Sequence, residues 1–495
     1  MTNNILNRHT APKAEAPERV IQFGEGNFLR AFVDWMIQEM NDKTAFNGSV
    51  VIVQPRERNH IETLRAQDCL YHVNLLGLKG NEQVNTCQRI SSVSRALNPY
   101  TQYDAFMALA EQPEMRFVIS NTTEAGIAFD NTCKLSDTPP ASYPAKLTQL
   151  LYRRYTCFNG DAKKGLIILP CELIFGNGHH LKECINQYID LWHDDLDDAE
   201  GFRKWVANCC PICTTLVDRI VNGYPRNDEQ QLWQRIGYKD AAMVQGEIFH
   251  LWVIEHDKNI SIEQLDEEWP ARKAGLNVVL TDNEAPYHLR KTTLLNGPHT
   301  VLSPVAFLSG INIVRDACND ELVGKYTHQV MFNELLPTLE LPKDELTRFA
   351  EDVLQRFKNP YIDHQVTSIM LNSFPKFKTR DLPALKRYTE LKGELPKTIV
   401  LGLAAITTFY KGGTREDGTA ITPNDDPAIL ELLQQLWASA DCHAIAEGVL
   451  GAQELIWKEQ GNLNDIPGLT DLLTSYLQQI QESGMRKAIE SVLNK

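Results

Sequence analysis

Three residues with complementary chemistry stand close together in the second half of the chain: Lys291, Asn296 and His299. On an ideal helix each residue advances by about 100°, so Asn296 lies about 140° and His299 about 80° from Lys291, on one broad face. A lysine that loses water in a cleft has a lowered pKa and can exchange a proton near neutral pH. Lysine, amide and imidazole together suit the polarisation of a carbonyl group. The same residues also fit a plainer interpretation, as a solvated lysine, a helix-end asparagine and a core histidine.

A second pattern, near the N-terminus, is typical of nucleotide binding. The short apolar run 20–23 suits a buried parallel strand and leads directly into Gly24-Glu25-Gly26. Asn27 can cap the helix that follows, whose apolar residues recur at helical spacing. A strand, a Gly-x-Gly turn and a helix N-terminus can together hold a pyrophosphate through backbone N–H groups. Leu29 stands where the usual motif has its third glycine, so this pattern alone leaves a nucleotide site undecided.

The end of the next strand bears on the choice of cofactor. The apolar run 49–53 ends at Gln54, with Arg56 and Arg58 close behind. Many dinucleotide-binding units place an acidic residue here for the adenosine ribose. Gln54 can hydrogen-bond a ribose hydroxyl, but the missing carboxylate weakens discrimination against a 2′-phosphate. The choice between NAD and NADP therefore stays open at this position.

The scaffold for these sites follows from the apolar pattern. Two more short apolar runs, 116–120 and 166–169, indicate a parallel sheet covered on both faces, and segments 71–77 and 84–94 indicate inserted antiparallel strands. From about residue 282 onward helical periodicity dominates and strands vanish. We predict an α/β fold, with a Rossmann-like N-terminal domain followed by a mainly α-helical C-terminal domain. The predicted boundaries are a flexible N-terminal tail over 1–17, the dinucleotide-binding domain over 18–280, and a helical substrate and catalytic domain over 281–495.

The composition excludes several classes of function. The 495-residue chain has 49 Lys and Arg against 64 Asp and Glu, which gives a formal net charge of −15. Such a field repels phosphate backbones and anionic membranes, so neither nucleic acid nor a membrane is an expected partner. No apolar run approaches the roughly 18 residues of a membrane span, and the N-terminus does not resemble a signal peptide. The eleven scattered cysteines fit a reduced, cytoplasmic protein better than a disulfide scaffold.

Metal binding is only weakly indicated. Cys209, Cys210 and Cys213 form the one cysteine cluster, and no second pair at metal-ligand spacing accompanies it. We interpret these cysteines as small core residues. A zinc-dependent dehydrogenase would need converging ligands, and the nearest candidates, Cys171 and His179-His180, have no favourable spacing. We therefore expect no metal.

Five ordered segments resemble the mannitol dehydrogenase family, the long-chain polyol-specific dehydrogenases and reductases. Lys291, Asn296 and His299 match its Lys-x4-Asn-x2-His signature. The match runs in register over about residues 18 to 480, nearly the whole chain. The other four matching segments are Gly24–Ala31 (GEGNFLRA), Thr123–Gly126 (TEAG), Asn177-Gly178 and Val217–Ile220 (VDRI).

The resemblance implies a metal-independent hydride transfer with NAD as the cofactor, NADP not being excluded. Lys291 is then expected to be the general acid–base group, and Asn177 and Asn296 to hydrogen-bond the keto oxygen. His299 is expected to orient the substrate or tune the lysine. The family also lacks the third glycine, in agreement with Leu29. The residues expected to contact the cofactor are Ile21, Gly24, Glu25, Gly26, Asn27, Phe28, Leu29, Arg30, Gln54, Thr123 and Glu124.

Within the family the sequence is most similar to uronate-catabolic members, which implies a small sugar-acid substrate, a keto-uronate reduced to an aldonate. Mannitol-type members use an arginine and, eight residues later, a lysine to contact sugar hydroxyls. Here Ser368 stands at the arginine position and Lys376 at the lysine, while Lys378 and Arg380 are gained. Such a cation cluster suits a carboxylate, although a solvated basic turn is the alternative.

Asp218, in the VDRI segment, is the remaining expected substrate residue. Two other functions stay open. The first is a polyol or ketose oxidoreductase of the mannitol 2-dehydrogenase or fructuronate reductase type. The second is a non-catalytic NAD-binding module, which would have no reason to keep the lysine, histidine and two asparagines together.

Overall fold

The computed structural model describes residues 4–12, 15–57, 61–80, 82–123, 125–438 and 441–494. The chain divides into two compact units. Unit 1 comprises Met1–Gly77 and Gln83–Glu284, and unit 2 comprises Leu78–Glu82 and Ala285–Lys495.

Unit 1 is built on a five-stranded parallel sheet with strand order β5-β2-β1-β6-β7. Its strands are short and apolar, and both of their faces are buried, as expected for a sheet with helices on both sides. In chain order, the strands of this sheet and of the two smaller sheets described below are β1 (Glu18–Phe23), β2 (Ser49–Val53), β3 (Tyr71–Lys79), β4 (Glu82–Ile90), β5 (Val93–Leu97), β6 (Phe117–Ser120), β7 (Ile167–Pro170), β8 (Thr214–Asp218), β9 (Val221–Gly223), β10 (Val244–Glu247), β11 (Leu251–Glu255) and β12 (Val278–Thr281).

The helices of unit 1 cover the two faces of this sheet. One core contains Phe32 and Met36 of the first helix, and the other contains Leu147 and Leu150 of the fourth. These helices are α1 (Asn27–Lys43), α2 (Glu62–Ala66), α3 (Tyr103–Met107), α4 (Tyr143–Cys157), α5 (Asn177–Leu191), α6 (Ala199–Cys209), α7 (Glu229–Ile236) and α8 (Ile262–Glu268).

The carboxyl ends of β1, β6 and β7 meet at one edge of the sheet. Phe23 pairs with Ser120, and Ser120 pairs with Pro170, so the three strands end level with one another. The segments that follow them, 24–26, 121–126 and 171–176, therefore lie side by side. In open α/β sheets this edge is where ligands bind.

The remaining strands form two smaller sheets, with strand orders β4-β3-β10-β9 and β12-β11-β8. The predicted insertion over 71–77 and 84–94 is found in the first, but that sheet is mixed, because β3 pairs with β10 in parallel. Val93 and Ser94 fall outside the insertion, since they begin β5 at the edge of the main sheet. The apolar pattern that predicted inserted antiparallel strands could not show which distant strand β3 would pair with.

Unit 2 is mainly helical. Its only strands in the described part of the chain are β13 (Gly413–Thr414) and β14 (Ala420–Ile421), which pair in a surface loop. The almost wholly buried helix α17 contributes to its core. The helices are α9 (Ala285–Lys291), α10 (Gly297–Leu308), α11 (Val314–Asn319), α12 (Glu321–His328), α13 (Lys343–Phe357), α14 (Val366–Ile369), α15 (Ser373–Arg380), α16 (Leu382–Lys392), α17 (Lys397–Phe409), α18 (Pro427–Ala438), α19 (Cys442–Leu450) and α20 (Leu469–Leu493).

The N-terminal segment differs from the flexible tail predicted for 1–17. Ile5 forms a parallel bridge with Lys239, and the N–H of Leu6 donates to the carbonyl of Lys239. Leu6 and Ala11 are buried against Leu70. Because these apolar side chains leave water and the backbone is hydrogen-bonded, the prediction is wrong for residues 4–12.

Across the described residues, no helix is long and apolar enough to cross a membrane.

Candidate active site

Lys291 ends α9, and the turn that follows it, Thr292–Asn296, is π-helical. The N–H of Gly297 donates five residues back instead of four. Pro298 has no N–H, so an α-helical ladder cannot run unbroken through this point. One such wider turn separates Lys291 from Asn296. The angle between their side chains about the helix axis is therefore smaller than the about 140° of a regular helix. The regular helix assumed from the sequence is thus replaced by a π-helical turn, a feature frequent at functional sites.

His299 lies in the first turn of α10 within a cluster of rings and cations. Its ring stacks on Phe357 at a centroid distance of 4.0 Å and meets His364 edge-on at 5.3 Å. Burial, followed by the nearby His364, Arg356 and Arg380, lowers the pKa of His299 well below its ordinary value. The imidazole is therefore neutral at physiological pH. Its Nε2 atom is buried and has no hydrogen-bond partner among the described residues, which leaves it able to bind a ligand hydroxyl.

The three predicted carboxylate-binding cations lie on α15 but do not share one environment. Lys376 and Arg380 are four residues apart and so lie on the same face of the helix, whereas Lys378 is about 200° away from Lys376. Lys378 pairs with Glu459 at 3.2 Å. That Lys378 belongs to the carboxylate site stays a prediction, and its ammonium is here paired with Glu459 on the other face of α15.

Lys376 and Arg380 are each anchored by a hydrogen bond within unit 2. Lys376 Nζ donates to the carbonyl of Ile369 at 2.7 Å, and Arg380 Nη1 donates to Thr300 Oγ1 at 3.2 Å. The Thr300 hydroxyl in turn donates to the carbonyl of Asn296 at 2.9 Å. Burial lowers the pKa of both Lys376 and Arg380. Arg380 is thus linked through one hydroxyl to the π-helical turn.

In unit 1 the Gly24-Glu25-Gly26 turn forms an open cradle at the carboxyl edge of the sheet. Gly24 has φ of +132°, and a Cβ there would lie 3.1 Å from the carbonyl oxygen of Asn121. A Cβ on Gly26 would meet nothing within 4 Å. Gly26 is the N-cap of α1 and carries no side chain, so the first N–H groups of this 17-residue helix are not covered by a capping side chain. A helix start of this kind binds anions.

A cavity of about 540 Å³ opens beside this cradle. Such a volume lies within the usual range for small-molecule and cofactor sites. It is lined by Phe28, Asn121, Thr123, Ala125, Leu173 and Val217, which stand at the ends of β1, β6, β7 and β8.

Several residues expected at the cofactor have other positions in the structure. Phe28 and Thr123 line the cavity, and Glu25 and Asn27 lie partly or fully exposed at the turn. The side chains of Ile21 and Leu29 are in the cores on either face of the sheet, so a cofactor contact from either residue would come from its main chain and stays a prediction. Glu124 lies outside the described residues.

Arg30 and Gln54 are also turned away from the cavity. The Arg30 guanidinium donates to the carbonyls of Glu25 and Ala242 and to Asn27 Oδ1, so it braces the glycine turn. Gln54 has no exposed surface, and its Nε2 donates to the carbonyl of Arg56 at 2.7 Å. Direct cofactor binding by either side chain stays a prediction, and in this structure their polar groups hold the main chain.

Asn177 shows the clearest departure from its expected role. It is fully buried, and its amide nitrogen lies 3.1, 3.0 and 2.9 Å from the carbonyl oxygens of Pro170, Glu172 and Thr215. Its Oδ1 accepts the N–H of Thr215 at 2.9 Å. Two amide hydrogens face three acceptors, so neither is left for a substrate oxygen. The predicted hydrogen bond from Asn177 to the keto oxygen stays a prediction, and in this structure the amide ties the ends of β7 and β8 together.

The other polar candidates of unit 1 are structural or peripheral. Asp218 is buried at the end of β8, next to the cavity residue Val217. Within the described ranges no three His, Cys, Asp or Glu side chains form a group that could hold a metal ion. Cys171 is buried, whereas the His179 side chain is 70% exposed. Burial raises the pKa of both Cys210 and Cys213 to about 12, as expected of core thiols.

Comparison with known proteins gives the family. The Mannitol dehydrogenase Rossmann domain matches residues 18–266, and the Mannitol dehydrogenase C-terminal domain matches residues 283–481. The chain belongs to the mannitol dehydrogenase family.

Relatives of this mannitol dehydrogenase family member match it over its full length. It is 63% identical to a protein named altronate oxidoreductase from Phocaeicola vulgatus, over 99% of both chains. It is 42% identical to an altronate oxidoreductase of Bacillus subtilis, over 99% of this chain and 97% of the other. Among solved structures, Pseudomonas fluorescens mannitol 2-dehydrogenase, in a ternary complex with NAD and D-mannitol, has a TM-score of 0.66 at 22% identity over 99% of both chains.

The family resemblance had not pointed to every residue that forms these sites. Asn121 and Leu173 line the cavity, and each closely follows a predicted strand, which is the signal that could have identified them. Arg356 and His364 surround His299 from distant parts of unit 2. Nothing in their local sequence indicated this, because their approach depends on how the helices pack.

Proposed function

We propose that this chain is an NAD-dependent tagaturonate reductase (altronate oxidoreductase), which interconverts D-tagaturonate and D-altronate in hexuronate catabolism. The observation that carries the proposal is the 63% identity, over 99% of both chains, to a protein named altronate oxidoreductase. Lys291, at the end of α9, and Asn296, at the end of the π-helical turn that follows it, provide the donors that reduction of a ketone requires. The absence of a metal ligand group among the described residues is compatible with this chemistry but does not carry it.

The residues of unit 1 fit a dinucleotide. The open Gly24–Gly26 cradle and the start of α1 offer backbone N–H groups to a pyrophosphate, and the adjoining cavity is apolar at Phe28 and Leu173. When bound, the nicotinamide supplies the hydride that is transferred to and from the substrate carbon. We propose NAD over NADP on the similarity to altronate oxidoreductases and the NAD complex of the structural relative, since buried Gln54 gives no discrimination of its own.

The residues that transfer the proton lie in unit 2. During reduction the Lys291 ammonium gives its proton to the keto oxygen, and in the reverse direction the neutral amine takes it back. The amide of Asn296 hydrogen-bonds the same oxygen as negative charge develops on it. Neutral His299 orients the substrate through its buried Nε2. Asn177 takes no direct part, since its amide holds the main chain.

The substrate carboxylate is proposed to lie against Arg380 and Lys376. An unpaired anion in a closed site is costly, and the chain as a whole carries a charge of −15 that would repel it. Arg380, Lys376, and Arg356 near His299 concentrate positive charge locally. We further propose that the reaction takes place in the cytoplasm, which is supported by eleven free cysteines.

A substrate panel tests the proposed function. The purified full chain is given NADH or NADPH with D-tagaturonate, D-fructuronate or D-fructose, and loss of the reduced cofactor is followed by absorbance. We expect the highest kcat/KM with NADH and D-tagaturonate, unchanged after prolonged chelation. Preference for D-fructose would indicate a mannitol 2-dehydrogenase, and preference for D-fructuronate a fructuronate reductase. Cofactor binding without turnover of any compound would indicate a non-catalytic module.

A further inference from the structure

A buried carboxylate connects two of the segments that form the cofactor cavity. Glu172 follows β7, is 2% exposed, and accepts three hydrogen bonds from the segment around the end of β6. Its Oε1 accepts from the N–H of Thr122 at 2.9 Å and from the Thr122 hydroxyl at 3.0 Å. Its Oε2 accepts from the Ser120 hydroxyl at 3.0 Å. Three donors and no cation face this carboxylate in these contacts, so it acts purely as an acceptor.

The loop held by Glu172 forms a wall of the cavity. Asn121, Thr123 and Ala125 of this loop all line the cavity, while Thr122 points inward to Glu172. Thr123 has φ of +90°, an unusual conformation for a β-branched residue. Such strain persists only where neighbouring contacts determine the backbone conformation, and it is concentrated at ligand sites.

Contacts on both sides of Thr123 hold its backbone conformation. On its N-terminal side, Glu172 binds both polar groups of Thr122. On its C-terminal side, the N–H of Gly126 donates to the carbonyl of Thr123 at 2.9 Å. The Thr123 hydroxyl accepts from Arg56 at 3.1 Å at the surface of the cavity. Removal of Glu172 would therefore release the loop from its buried side and allow Thr123 to relax.

Burial of the Glu172 carboxylate costs free energy unless its oxygens accept these hydrogen bonds. Burial raises its pKa, while its hydrogen bonds from the Thr122 N–H and the two hydroxyls oppose that rise. The main-chain carbonyl of Glu172 is also one of the three acceptors of Asn177, so the same residue meets both the loop after β6 and the start of α5.

We infer that Glu172 is a positioning residue for the cofactor: its buried carboxylate fixes Thr122 and Thr123, and with them this wall of the cavity, in the shape that binds the nicotinamide dinucleotide. The inference rests on the proposed function. Glu172 touches neither the cofactor cavity nor the substrate, so it acts through Thr122 and Thr123. It should therefore affect the affinity for NADH far more than the affinity for the sugar acid.

The test is a fluorescence titration of NADH into the full-length wild type and three variants, with KM and kcat measured alongside. We expect Glu172→Ala to raise the Kd for NADH by about tenfold, which corresponds to about 1.4 kcal/mol. The KM for D-tagaturonate should stay within about twofold at saturating NADH. Glu172→Gln keeps one oxygen for Thr122 and can donate to Ser120, so it should restore most of the affinity. Thr122→Val, which removes only one of the three bonds, should raise the Kd by about two- to threefold.

Glu334 provides a matched control. It is a buried carboxylate of unit 2 that accepts the N–H groups of Thr398 and Ile399, both at 2.9 Å. Glu334→Ala should lower the melting temperature and leave the Kd for NADH unchanged. An equal rise in Kd for Glu334→Ala and Glu172→Ala would overturn the inference, because general destabilisation would then explain both.

The remaining outcomes also separate the two proposals. If Glu172→Ala does not fold, Glu172→Gln and Thr122→Val decide, and wild-type Kd values in both would overturn the inference. Tight NADH binding and turnover by the wild type, with no change in any variant, would overturn the positioning role alone. Failure of the wild type to bind NADH would overturn the proposed function and this inference together.

Discussion

Replacement of Arg380 by glutamine should weaken binding of the keto-uronate selectively. Arg380 lies on α15 and donates to Thr300 Oγ1, which places its guanidinium near the π-helical turn that follows Lys291 and ends at Asn296. A hydrogen bond to a charged group contributes about 1.5–3 kcal/mol. Loss of that interaction from Arg380→Gln predicts a KM for D-tagaturonate raised by about 10- to 150-fold.

Lys378 supplies the matched control, because it lies two residues away on the same helix. Its ammonium is paired with Glu459, whose side chain is 64% exposed, and surface pairs of this kind contribute about 0–1 kcal/mol to stability. Lys378→Gln should therefore leave the KM within about twofold of the wild type. The two variants remove the same formal charge, so a difference between them cannot come from the net field of the protein.

The assay is steady-state reduction of D-tagaturonate at saturating NADH, with inhibition by D-altronate as a second measure of binding. A neutral ketose of the same length, if it is turned over, should lose much less with Arg380→Gln, since it has no carboxylate to hold. Melting temperatures show whether loss of the Thr300 contact has loosened the helix. A KM raised less than about threefold by Arg380→Gln, or equally by Lys378→Gln, would refute the assignment of the carboxylate to this face of α15.

Three further predictions concern single residues elsewhere. Lys291→Ala should lower kcat by about 10²- to 10⁴-fold while the Kd for NADH stays near wild type; retention of more than half the activity would contradict its acid–base role. Asn177→Ala should lower the melting temperature and kcat together, because it frees carbonyls at the ends of β7 and β8; a loss of kcat at unchanged stability would restore a direct role. Burial and Arg219 lower the pKa of His250 to about 3, so below about pH 6.5 the unfolded chain takes up a proton that the folded chain refuses. Stability should fall by at most about 2 kcal/mol between about pH 7 and 5 from this group, and urea unfolding of His250→Gln should lack that part of the fall.

The parallel sheet of unit 1 could be predicted because its strands are short, continuous apolar runs that end in glycine or polar residues. The runs 20–23, 49–53, 116–120 and 166–169 all fall within or next to observed strands. A strand buried on both faces needs apolar residues at every position, and that requirement is visible locally. The partner of β3 was not predictable in this way, since its pairing with β10 joins residues far apart in the chain.

The residues of the candidate site also fall into those that the sequence could identify and those whose contacts it could not show. The glycine turn and the residues of the Lys291 segment are set by local spacing, and the family resemblance identified them. Lys378 and Asn177 have partners that come from elsewhere in the chain: Lys378 meets Glu459, and Asn177 meets Thr215. A single sequence shows that a residue can donate or accept a hydrogen bond. It does not show whether the fold has already used that capacity.

Two polar residues near the cavity, Asn177 and Glu172, are buried and do not line it, because the fold uses their hydrogen-bonding groups to hold the main chain. The ends of parallel strands expose backbone carbonyls and N–H groups that the sheet no longer pairs, and each such group needs a partner when water is excluded. Asn177 meets that need for β7 and β8, and Glu172 meets it for Thr122 after β6. With the main chain fixed in this way, the cavity wall can consist of short loops in unusual conformations, such as Thr123. The affinity for NADH, measured apart from turnover, separates a residue that positions the cavity wall from a catalytic one.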